Sequence, residues 1–98
     1  MAIVVVTRWK GDYQQALPLG RQAAAIQKRH GAISFRFGPV YAGPDTGKLV
    51  VAATYPDWAS YGRAQQGLAA DAEWQQVLGE AMKIAELHDR SVIVAEEL

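Results

Sequence analysis

The chain has 98 residues, half of them apolar, with ten Lys plus Arg against ten Asp plus Glu and no cysteine. That size fits a single compact domain over residues 1–98 with a modest core. Zero formal net charge argues against a nucleic-acid module, whose affinity rests on a basic excess, and the lack of cysteine excludes disulfides, thiolate nucleophiles and thiolate metal sites.

Ala2 to Lys10 is rich in Val, which predicts a strand closed by Gly11. Its apolar run is short and has no basic lead, so neither a signal peptide nor a membrane span is expected. The absence of cysteine fits a cytoplasmic location. Asp12 is a helix N-cap by type. From Tyr13 to His30 the apolar Ala16, Leu19, Ala23 and Ile26 recur at three and four, one face of a helix. Pro18 lacks the N–H for the carbonyl four back, so a kink is expected there. Lys28, Arg29 and His30 suit the negative end of the helix dipole, and Gly31 suits a left-handed terminating residue.

Ile33, Phe35 and Phe37 alternate with Ser34, Arg36 and Gly38, predicting a second strand from Ala32 to Ala42 with a bend at Gly38-Pro39. "AGPDTGK" (42–48) is turn chemistry, so a hairpin leads into a third strand from Lys48 to Tyr55. Pro56 ends that strand. Asp57 caps a helix to about Leu68, and Asp71 caps another to about Leu87. Arg90 to Glu96 forms the last strand. The order is βαββα(α)β, the ferredoxin-like arrangement, α+β in class. Right-handed crossovers put both helical blocks on one face of a four-stranded antiparallel sheet.

Both faces of this sheet read as apolar. Ile3 and Val5 oppose Val4 and Val6; Leu49, Val51 and Ala53 oppose Val50 and Ala52; Val92 and Val94 oppose Ile93 and Ala95. Helices cover only one side, and a soluble monomer rarely exposes so large an apolar face. A homodimer built sheet against sheet is the simplest cover.

In length, element order and double-sided sheet the chain resembles the dimeric α+β barrel superfamily, which includes antibiotic-biosynthesis-monooxygenase-like, NIPSNAP-like and stress-responsive α/β-barrel proteins. "DWASYG" (57–62) followed by "ADAEWQ" (70–75) is similar to the two-helix segment of its small bacterial members. The resemblance implies a small-molecule cavity between helices and sheet.

The rings around that segment admit two readings. Trp58, Tyr61, Gln65 and Leu68 share one helix face, and Trp74, Val77, Leu78 and Ala81 share another. They are either core packing or, with Tyr55 and Trp9, the wall of a ligand pocket. Gly62 and Gly67 leave gaps that admit a ligand or a close backbone approach. His30 reads as a surface partner of the helix dipole. His88, beside Asp89, is the candidate general base. Arg8 and Arg36 place charge on an apolar sheet, either to steer an anionic ligand or to pair with Glu96 or Glu97. Two distant histidines give no metal pattern, and no serine elbow or phosphate loop is present. No cofactor is expected.

The function expected is that of a dimeric α+β barrel protein that binds a small apolar or aromatic molecule, with no assigned chemistry. The alternative that the resemblance implies is a cofactor-independent monooxygenase acting on a phenolic or polyketide-like substrate. There Trp58, Tyr61 and Arg8 would bind or polarise the substrate and His88 would act as base. A dimer with a filled core is a third reading. The sequence contains no asparagine, a residue that haem-degrading members place at the haem, which argues against that chemistry.

Overall fold

The structure, a computed structural model, describes residues 1–98. It contains β1 (Ala2–Gly11), α1 (Tyr13–Arg29), β2 (Ser34–Pro39), β3 (Leu49–Tyr55), α2 (Trp58–Ala69), α3 (Ala72–Ile84) and β4 (Ala85–Ala95). The four strands form one antiparallel sheet in the order β2-β3-β1-β4, as the ferredoxin-like pattern requires. All three helices lie on one face of it. No helix is long and apolar enough to cross a membrane.

The caps act as expected. Asp12, Asp57 and Asp71 each accept from the first turn of their own helix, through Gln15, Ser60, and Glu73 with Trp74. Gly31 ends α1 at φ +109°, a conformation closed to most side chains. The helix runs unbroken through Pro18.

Three boundaries differ from the sequence reading. The second strand spans only Ser34–Pro39, because Val40 and Lys48 already close the hairpin loop. The last helix stops at Ile84 rather than Leu87, and β4 begins at once with Ala85 instead of Arg90. The cause is the length of β1. Its end, Trp9 to Gly11, pairs with Leu87 to Ala85, so ladder bonds outweigh the helix propensity of Ala-Glu-Leu. Gly11 makes the junction feasible: a Cβ there would sit 2.9 Å from the Cβ of Ala85.

The register contains one irregularity. Arg8 pairs with Asp89 but Trp9 pairs with Leu87, so His88 is an extra residue in β4. The bulge resets the alternation. It turns Leu87 toward the helices along with Trp9, while Asp89 points to the opposite face with Arg8.

Nine of the ten buried side chains fall into two groups, with Leu49 of β3 outside both. Ile3, Val5, Ala32, Ala53, Tyr55 and Ala64 join the sheet to α2. Ile26, Leu68 and Val77 join the helices to one another. Two glycines let α1 sit close to its neighbours. A Cβ on Gly20 would lie 2.8 Å from the Phe37 ring, and one on Gly67 would lie 2.5 Å from the His30 ring. The gap at Gly67 is thus filled by His30, whereas a Cβ at Gly62 meets nothing within 4 Å.

These two glycines of α2 give opposite expectations. Gly62→Ala gains about 0.5–1 kcal/mol, because alanine loses less backbone entropy in a helix. Gly67→Ala has the same propensity gain but overpacks His30, at about 1–3 kcal/mol, and is destabilising in sum. Urea unfolding of the two variants tests both signs.

Candidate functional site

Between the two buried groups lies a partly open cavity of about 460 Å³. Its floor is the helix-facing side of the sheet, including Val5, Thr7, Trp9, Phe37 and Val51. Its roof comes from all three helices, with Leu19 and Ala23 of α1, Tyr61 and Gln65 of α2, and Trp74 and Leu78 of α3. Twenty of its 25 lining residues are hydrophobic. Alternation in the strands and three-and-four spacing in the helices bring these side chains together. The space between sheet and helices is therefore open rather than filled.

Three lining residues are exposed: Met82 at 56%, Leu87 at 40%, and Arg90. They mark the mouth, where the end of α3 meets β4. The remainder of the wall is buried or half-buried.

Polar groups in the wall are few. Trp9 Nε1 donates to Thr7 Oγ1 at 2.8 Å. Arg90 Nη2 donates to the Tyr61 hydroxyl at 3.1 Å. Gln27 Oε1 accepts from the hydroxyl of Tyr55. Burial pushes the Tyr55 phenol up to about 12, so it stays a neutral donor.

Of the residues singled out in the sequence, Trp9, Tyr61 and Trp74 stand in this wall. Tyr55 is fully buried behind it and meets Tyr61 edge-on at 5.8 Å. Trp58 also meets Tyr61 edge-on, at 5.9 Å, but is half exposed outside the cavity. Arg8 and Arg36 lie on the opposite face of the sheet. Arg8 bonds Asp89 at 3.1 Å and approaches Asp45 at 3.8 Å, rather than Glu96 or Glu97. His88 sits at the bulge, 3.9 Å from Glu86 and outside the cavity. Arg90 was missed by sequence reasoning, although it shares the alternation of the helix-facing Val92 and Val94.

A second cluster was also unforeseen. His30 is the C-cap of α1, half-buried, and its Nε2 lies 2.7 Å from Asp71 Oδ2. Arg29 donates to the same oxygen at 2.9 Å and to Glu73 at 3.3 Å. This fastens the end of α1 to the start of α3. The bonds from His30 and Arg29, with the Trp74 and Glu73 N–H groups, hold the Asp71 carboxyl far below the usual carboxylate range.

With this geometry in hand, the comparisons become informative. The family model described as Domain of unknown function (DUF6854) matches residues 2–94. The chain belongs to that family. No curated protein matches it. Among solved structures, SnoaB, a cofactor-independent oxygenase from Streptomyces nogalater, superposes with a TM-score of 0.69 at 15% identity over 99% of this chain and 95% of that one. A NIPSNAP family protein from Agrobacterium tumefaciens gives 0.74 at 17% identity over 99% and 95%. A dimeric ferredoxin-like protein from an uncultured marine organism gives 0.68 at 16% identity over 98% of each chain. At these identities the likeness is one of fold, and it is the fold the sequence implied.

The lowered carboxyl of Asp71 has a pH consequence. Its contribution to stability is present in full above the unfolded value of about 3.9 and is lost as pH falls below that. The melting temperature should therefore drop below about pH 4. Asp71→Asn, which cannot change charge, should show a shallower acid slope in thermal unfolding from pH 6 to 3.

Proposed function

We propose that this protein binds a small, largely aromatic molecule in the cavity between its helices and sheet. The observation that supports this most strongly is the volume itself. A volume of about 460 Å³ falls within the roughly 300–1,000 Å³ typical of small-molecule pockets. A space that large, ringed by Trp9, Tyr61 and Trp74 and reached through a mouth, fits a binding site better than a packing defect. Its wall contains no histidine and no carboxylate, so binding is favoured over acid–base catalysis.

The neutral probe 2-naphthamide tests the reading. It should quench the tryptophan fluorescence and raise the melting temperature, since ligand at roughly 100 times Kd stabilises the folded state by about 2.7 kcal/mol. Leu78→Trp, which fills the roof, should remain folded and lose both effects. No response in the wild type would count against the cavity as a site.

The working unit is proposed to be a homodimer joined by the face opposite the helices. Val4, Val6, Val50, Ala52 and Ile93 share that face, and Ile93 is 46% exposed. These five form a continuous apolar patch across β3, β1 and β4, the kind of surface that marks an interaction site. The marine relative of like fold is described as dimeric. Native mass spectrometry should give two chains for the wild type and one for Val6→Asp. A wild-type monomer at micromolar concentration would overturn the assignment.

A further inference from the structure

Resting on that reading, the lone cation of the cavity narrows the ligand class. Arg90 is the only one of the 25 lining residues that carries a full charge. It lies at the mouth, since it is exposed and follows the exposed Leu87 along the helix-facing side of β4. It has no carboxylate partner. Its side chain bonds only the Tyr61 hydroxyl, at 3.1 Å, while the adjacent Asp89 points to the other face and is held by Arg8 at 3.1 Å.

A guanidinium has five N–H donors in a planar fork, and one bond to Tyr61 leaves most of them free. While Tyr61 accepts from Arg90, its own O–H is free to donate. Arginine and phenol together present donors side by side with no acceptor of opposite charge. Behind them the wall is apolar and aromatic.

We propose that the cavity selects an amphipathic monoanion, an aromatic carboxylate whose ring system fills the interior while its carboxylate sits at the mouth on Arg90 and Tyr61. The fork of Arg90 matches the two oxygens of a carboxylate side by side. A second charge carried on the ring system would have to enter the apolar interior, which opposes it strongly. A neutral ligand would leave the donors of Arg90 to water.

The test compares 2-naphthoate with 2-naphthamide, which are alike in size and differ in charge, by calorimetric titration at pH 7. The acid should bind about tenfold more tightly than the amide, as expected for a charge-assisted pair at a partly open site. Arg90→Gln should erase that preference by weakening the acid about tenfold more than the amide, and Tyr61→Phe should reduce it by a smaller factor. Equal affinities in the wild type, or a preference that survives Arg90→Gln, would overturn the carboxylate assignment and leave the cavity reading intact. Failure of both compounds to bind would overturn the cavity reading and this inference with it.

Discussion

The helical layer is pinned to the sheet at its margins and not in its middle. Gly20 seats α1 on Phe37, His30 and Arg29 tie α1 to Asp71 at the start of α3, and Ile84 passes into Ala85 with no loop between helix and strand. Each attachment fixes a distance that side chains in the centre would otherwise set. With the edges held, the interior need not close. That is why the buried groups separate into one set under α2 and another among the helices, with open space between them.

The two sheet faces divide the remaining labour. One carries the aromatic and aliphatic floor of the cavity. The other carries Val4, Val6 and Ile93 with Arg8 and Asp89 toward one end. The Arg8–Asp89 pair is partly exposed, so its energetic worth is small, about 0–1 kcal/mol. Its value is positional: it uses up the carboxylate next to Arg90 on the other side of the strand, so the cavity cation stays unneutralised.

Much of this was legible in the sequence because the signals were local. Asp12, Asp57 and Asp71 announce helix starts, Gly31 a helix end, and the Val-rich runs the strands of a sheet with apolar residues on both faces. Trp9, Tyr61 and Trp74 could be suspected of lining a pocket from spacing and resemblance, though whether the space was open could not be read from side-chain types. Three features had no local signal. The His30–Asp71 contact joins residues 41 apart, through a gap that only the absent side chain of Gly67 creates. The early start of β4 depends on the length of β1, a strand at the other end of the chain. Arg90 was within reach of simple alternation from Val92, but its place at a cavity mouth required knowing where α3 ends.

The extra residue at His88 means that β4 is written in two phases. From Arg90 onward, even-numbered residues face the helices; before the bulge, Ala85 and Leu87 do. The half that carries Arg90, Val92 and Val94 is therefore out of step with the half that carries Ala85 and Leu87. A change in the number of residues between Leu87 and Arg90 would exchange inside for outside over a whole half-strand, whereas single substitutions leave each half in its own frame. The cavity mouth thus draws on both halves, Leu87 from one and Arg90 from the other, and the one extra position keeps the two on the same side.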